Sequence, residues 1–165
     1  MQKRFESTAL IRFPDCDPFN HLNNSRYLDY FYNSREDHVR NYHAFDLYSY
    51  ARDTGYGWVT SENRIAYVRP AYLMETVVLQ SGILVWGSKH IHLEMTMWNE
   101  TKTELKALLW SQFVHVNVRT GKSELHPELV TERFRDFEIG LPEHNTFEQQ
   151  LTQYRLGFLF ENDVH

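Results

Sequence analysis

Two carboxylates, a thiol, an imidazole and three side-chain amides fall within ten consecutive residues of this chain. The run reads Asp15-Cys16-Asp17-Pro18-Phe19-Asn20-His21-Leu22-Asn23-Asn24, and Tyr27 follows it. These residue types suit acyl chemistry. A carboxylate can attack a carbonyl carbon or take a proton from water, and unpaired N–H groups at a helix start can hold the oxyanion that forms. The same residues also have a plainer use. Asp17 before Pro18 can spend its carboxylate on the N–H groups of its own turn. Asn23 or Asn24 can cap a helix. Asp15 is the alternative carboxylate, or a second turn former. His21 offers a backbone N–H to a developing oxyanion, or a ring that positions water. Cys16 would need a nearby base and a depressed pKa to act as a nucleophile, and reads instead as a small tolerated thiol.

Other reactive patterns are thin. The chain has nine histidines. His90 and His92 would share one strand face, but no Cys/His spacing fits zinc and no His-Glu-x-x-His occurs. Gly-rich phosphate loops and the Gly-x-Ser-x-Gly elbow are absent from the sequence. Arg64, Arg69, Lys89 and Lys122 stand at strand ends or turns, where cations can meet a phosphorylated ligand. Each also reads as a solvated surface charge.

The elements that must position these groups follow from periodicity. Residues 4–13 read as a strand, and residues 14–22 as a loop limited by Pro14 and Pro18. From Asn23 or Asn24 to about Asn41, the recurrence of Tyr27, Leu28, Phe31, Arg35, His38 and Val39 predicts a helix. Tyr27, Leu28, Phe31 and Val39 would form its buried face, with His38 and Arg40 at its C-terminal end. A short helix is expected near 45–51. Residues 58–69, 76–85, 90–98 and 103–118 are rich in β-branched and aromatic side chains and predict strands. Gly82 and Gly87 would mark a bulge and a turn, and Asn99 to Lys102 a hairpin. Helices are expected near 127–134 and 143–156. One long helix with several antiparallel strands fits a single α+β domain in which an apolar sheet covers the helix.

Composition bounds the function. A chain of 165 residues buries a real core. A net charge of −5 argues against nucleic acid as the main partner. The single cysteine excludes an internal disulfide and fits a reducing compartment. No apolar stretch after Met1-Gln2-Lys3-Arg4 predicts a secretory leader, and none is long enough to span a bilayer. The expected location is cytoplasmic, with no membrane partner.

The pattern Asp-x-Asp-x-x-x-His-Leu-Asn-Asn-x-x-Tyr, from Asp15 to Tyr27, resembles the signature of 4-hydroxybenzoyl-CoA thioesterase-like proteins of the hot-dog superfamily. Arg35 matches an arginine common on that family's central helix. Ile65–Ala71 resembles its first strand after the helix. Gly121-Lys122 with Leu125-His126-Pro127 resembles its last hairpin end. The resemblance runs from about Arg4 to Glu128. It implies an α+β hot-dog fold, a curved antiparallel sheet wrapped around one long helix, over residues 1–133. Residues 134–165 would be an extension packed on the same domain or on a partner subunit. It further implies hydrolysis of an acyl- or aroyl-CoA thioester, with Asp17 as nucleophile or general base and His21 and Asn24 beside it. The amides near His21 and Leu22 would form the oxyanion hole, and Leu22, Tyr27 and Arg69 would bind substrate. No metal and no cofactor is implied, coenzyme A being part of the substrate. The family usually forms a homodimer or dimer of dimers with sites at the interface. Two departures stand out. Asn20 replaces a glycine common before the motif histidine, and Tyr32 and Asn33 stand where helix glutamates are frequent. A non-catalytic module that binds a thioester or apolar ligand, and a thioesterase for acyl-carrier protein, are the alternative readings.

Overall fold

The computed structural model describes residues 3–43, 45–140 and 146–162. Five antiparallel strands form one sheet: β1 (Phe5–Leu10), β2 (Tyr56–Tyr67), β3 (Thr76–Trp86), β4 (His90–Asn99) and β5 (Leu105–Asn117). Their spatial order is β1-β3-β4-β5-β2, so β1 and β2 are the edges. The helices are α1 (Tyr27–His43), α2 (Leu47–Thr54), α3 (Glu128–Phe137) and α4 (Phe147–Asn162). The expected α+β hot-dog architecture is what the chain adopts: the curved sheet wraps around α1.

The sheet's inner face supplies Val77, Leu79, Leu93, Met95, Met97, Ala107, Leu109 and Phe113, all buried against Tyr27 and Phe31 of α1. Alternation along antiparallel strands sends one set of side chains to this face and the next to the opposite one. The opposite face does not meet water here. Val78, Trp98, Leu105 and Leu108 pack under Phe147, Leu151 and Tyr154 of α4. Burial on both faces explains why β3, β4 and β5 read as nearly continuous apolar runs. The boundary expected at residue 133 falls inside α3, whose Phe134 and Phe137 pack on the inner core. Residues 143–145 of the last expected helix lie outside the described residues.

Local signals account for the joints. The Asn23 side chain accepts the Ser25 N–H at 3.0 Å and caps the helix start. Asp46 caps α2 by accepting the N–H groups of Tyr48 and Ser49, and Gly55 ends it at φ 76°. The β4–β5 hairpin closes where the Asn99 carboxamide oxygen accepts the N–H groups of Thr103 and Glu104. The β3–β4 register shifts between Ile83 and Val85, beside the expected bulge. At Gly82 a side chain would meet Ile139 at 3.1 Å and the Lys3 carbonyl at 3.3 Å, so this position admits the chain returning from α3.

Two expectations are corrected. The first strand ends at Leu10 rather than residue 13, because Pro14 sets a 3-10 turn over Phe13–Asp15. The buried face of α1 is not wholly apolar. Ser34, Arg35 and His38 are buried on it, whereas Leu28 and Val39 are only half-buried. His38 therefore lies under the sheet and does not serve the helix's C-terminal end.

Candidate active site

The loop between β1 and α1 is built like a clasp. Asp17 N–H donates to the His21 carbonyl at 2.7 Å, and Asn20 N–H to the Asp17 carbonyl at 3.1 Å. The Asp17 Oδ1 atom accepts the N–H groups of Phe19 at 2.9 Å and His21 at 3.0 Å. Asn20 turns the chain with φ 61°, the left-handed conformation that asparagine tolerates in place of glycine. The half-buried carboxylate thus fills the turn-capping role with one oxygen. No hydrogen bond engages Oδ2 among the described residues, and that oxygen is the one available for chemistry.

The amides expected to hold an oxyanion are already used. His21 N–H goes to Asp17, and Leu22 N–H to the Ala71 carbonyl at 2.8 Å. Asn23 N–H binds the Asp15 carbonyl, and its side chain is the helix cap. Asn24 differs. It is exposed, and among the described residues neither its N–H nor its carboxamide has a recorded bond; only its carbonyl is engaged, by the Tyr67 hydroxyl at 3.1 Å. The His21 and Leu22 amides are therefore not open donors, whereas the Asn24 N–H and carboxamide have no partner among the described residues.

The remaining motif residues pack beneath and beside the loop. Leu22 is buried. Tyr27 is buried too, and its hydroxyl accepts the Ala71 N–H at 3.3 Å while its ring meets Tyr67 edge-on at 5.0 Å. Burial pushes its phenol above the usual tyrosine range, so it is a wall and not a proton donor–acceptor at neutral pH. The His21 ring packs edge-on against Tyr72 at 5.1 Å. Asp15 is held by the Tyr30 hydroxyl at 2.8 Å, with Arg26 at 3.8 Å, which removes it from contention as the reactive acid. Cys16 donates to the Arg12 carbonyl, and burial with Asp15 and Asp17 nearby raises its thiol, so no thiolate forms at neutral pH.

Segment 70–75 supports this loop from below. Leu73 N–H donates to Asn20, and His21 pairs with Tyr72. Lys106, 2% exposed, holds the segment by donating to the Pro70 carbonyl at 3.0 Å and pairing with Glu75 at 2.9 Å and Glu104 at 2.5 Å. Burial alone would lower its pKa, but the two carboxylates raise it above the lysine norm. Lys106 was invisible in the sequence, where it reads as one more strand-end charge. Among the suggested cations, Arg64 is committed to Glu148 and to the Phe147 ring, and Lys89 to Ser123. Arg69 is exposed beside segment 70–75, with no side-chain bond among the described residues. His90 and His92 meet edge-on at 5.3 Å, and among the described residues no cluster of metal-ligating side chains occurs.

Farther along α1, His38 bridges Ser81 at 2.6 Å and Ser7 at 3.1 Å, and burial lowers its pKa to about 4. With Arg35 it lines an apolar cavity of about 80 Å³ bounded by α1, α2, α3 and the inner sheet. The signal for these residues was present: positions 27, 31, 35 and 38 fall on one helical stripe, so polar types there are polar residues in a core.

The sequence profile described as thioesterase-like superfamily matches residues 11–134. Among solved structures, a Staphylococcus aureus protein in complex with CoA superposes with TM-score 0.77 at 19% identity, over 91% of this chain and 93% of that one. A thioesterase superfamily protein from Jannaschia sp. gives 0.74 at 15% identity, over 84% and 98%. A 1,4-dihydroxy-2-naphthoyl-CoA thioesterase from Synechocystis gives 0.73 at 13% identity, over 81% and 96%. No curated protein matches the sequence at significance.

Proposed function

The chain belongs to the thioesterase-like superfamily, and from that premise we propose that it hydrolyses an acyl- or aroyl-CoA thioester with Asp17 as the reacting carboxylate. The observation that carries the reading is the division of labour within that side chain. Oδ1 is pinned by two N–H groups, which orients the carboxylate, and Oδ2 is left open. A thioester carbonyl is electrophilic and its thiolate leaves readily, so an oriented carboxylate and a donor or two suffice. Oδ2 takes a proton from water as the water oxygen bonds to the carbonyl carbon, or attacks that carbon itself. On the first route the C–S bond then breaks, Asp17 gives the proton back to the departing thiolate, and the acid is released. On the second the C–S bond breaks to leave an acyl–aspartyl anhydride, which water hydrolyses to the acid and the free carboxylate, the remaining proton going to the thiolate. Asn24 supplies the donor for the oxyanion, His21 walls the reacting group beside Tyr72, and Leu22 and Tyr27 support the pocket. Arg69, exposed beside segment 70–75, is the cation we assign to the CoA phosphates. No metal or further cofactor enters this scheme.

Exposed apolar side chains surround the loop. Phe13 is 75% exposed, Phe19 76% and Met74 64%. Apolar surface gathered at one place is a mark of contact with a ligand or a subunit. Together with the free edge of β2, it supports a homodimer whose sites lie between copies, and a dimer of dimers extends the same logic. The lone cysteine suits a cytoplasmic setting.

Asp17→Asn is the direct test, because the carboxamide oxygen still accepts the Phe19 and His21 N–H groups and the turn survives. On a panel of acyl- and aroyl-CoA substrates, kcat/KM is expected to fall at least ~100-fold with an unchanged melting temperature. Full activity in that variant ends the mechanism. Binding of CoA thioesters without turnover by the wild type would instead identify a non-catalytic module. Faster cleavage of carrier-bound than CoA-bound acyl groups would identify a carrier-protein thioesterase.

A further inference from the structure

The cavity beside the C-terminal half of α1 shares no lining residue with the Asp17 loop. Its walls are Phe5, Ile83, Ile91, Leu93, Phe134 and Phe137, with a few polar exceptions. Its charged members are Lys3, Arg35 and Arg133, all cations, and no carboxylate lines it among the described residues. Arg35 is 9% exposed, and its guanidinium lies over the Phe113 ring at 4.2 Å. Its Nε is buried without a hydrogen-bond partner among the described residues. The neighbouring carboxylate, Glu36, is engaged by the Tyr48 hydroxyl at 3.0 Å. A second orphaned donor lines the same cavity: Trp58 Nε1 is also buried without a partner among the described residues.

These facts are costly for a purely structural arginine. Glu36 stabilises the Arg35 charge through space only, without an ion pair to it among the described residues, and burial outweighs that attraction. An apolar side chain of like volume would serve the core better. The ring face of Phe113 orients the guanidinium but gives its Nε no acceptor. His38, which also lines the cavity, has both ring nitrogens occupied by serine hydroxyls and contributes no charge at neutral pH. Arg35 itself stays protonated, since burial lowers it only to about 10. What is missing is an anion with acceptor oxygens and an apolar body.

We propose that this cavity is a second ligand site, which takes a small monocarboxylate whose oxygens accept from Arg35 Nε and Trp58 Nε1 and whose short apolar tail lies among Phe5, Ile83, Leu93 and Phe134. The planar guanidinium matches a carboxylate, and the largely apolar walls around the two unpartnered donors suit a carboxylate with an apolar tail better than a phosphate dianion. The volume, about 80 Å³, is about half that of the ~150 Å³ apolar cavity known to take benzene, so the cavity holds the carboxylate and first carbons of a short chain whose end reaches its open mouth. The proposal stands apart from the thioesterase reading, because neither the ligand nor the donors involve Asp17.

Hexanoate, hexan-1-ol and hexylamine are the probes, titrated calorimetrically into the full chain at neutral pH. Hexanoate is expected to bind saturably, at least tenfold tighter than the alcohol, with no saturable binding of the amine. Arg35→Met, which keeps the side-chain length, abolishes the preference for acid over alcohol. Trp58→Phe weakens hexanoate several-fold and leaves hexanol unchanged. Asp17→Asn binds hexanoate as the wild type does, which separates this site from the reaction centre. Absence of saturable hexanoate binding, or equal affinity for hexanoate and hexanol in the wild type, overturns the proposal without any variant having to fold. Hexanoate affinity unaltered in Arg35→Met, or lost in Asp17→Asn, overturns it as well.

Discussion

At the scale of single residues, the chain shows how one side chain can hold two roles. The turn-forming and reactive uses of Asp17 looked like rivals in the sequence; the turn takes only Oδ1 and leaves Oδ2 open for the reaction proposed above. The substitution of Asn20 for glycine was legible because asparagine is the ordinary residue best suited to positive φ, and it adopts φ 61°. The occupied His21 and Leu22 amides were not legible, since their partners lie at Asp17 and, from far along the chain, at Ala71. His38 gives a pH prediction. Its folded pKa of about 4 lies below the ordinary histidine value because burial disfavours the charged ring. The unfolded chain therefore binds the proton more readily between about pH 6.5 and 4, so stability is full above that window and falls as pH drops through it. Urea melts at neutral pH and near pH 4.5 are expected to differ by ~2–3 kcal/mol from this residue, added to whatever the acidic side chains contribute. In His38→Gln, which does not titrate, the drop is smaller by that amount; an equal drop refutes the assignment.

At the scale of elements, the strands and the long helix announced themselves through β-branched runs and a period near 3.6. The cover on the sheet's outer face did not. Helical spacing predicted α4 from Phe147, Leu151 and Tyr154, but nothing in that spacing said which surface it covers. The answer lies in Glu94, fully buried at mid-strand in β4. Its carboxylate is satisfied by Arg4 at 2.7 Å, the Trp110 indole at 2.8 Å and the Tyr154 hydroxyl at 2.5 Å. An anion inside a sheet face needs such company. Tyr154→Phe takes away one donor and leaves the helix's apolar contacts intact. It is expected to cost ~1–3 kcal/mol in urea unfolding, and a loss within error would show that α4 contributes packing alone.

At the scale of the whole molecule, the hot-dog architecture came from the Asp15–Tyr27 pattern rather than from composition, because many α+β folds share this order of elements. The assembly is argued from the edge strand. β2 bonds to β5 on one side only, and its residues 59–64 are exposed. Long exposed edges invite pairing with a second chain. Sedimentation equilibrium is expected to report twice the 19.8 kDa chain mass or a multiple of that dimer; a monomer across micromolar concentrations ends the two-chain site.

Lys106 has a further consequence. Its ammonium is sealed from water and grips, from beneath, the segment on which the Asp17 clasp rests. Ions in solution screen such a grip far less than they screen surface pairs. The clasp is therefore bolted from the inside: brine that loosens surface pairs leaves it largely in place, and exchanging the bolt for an uncharged side chain releases it.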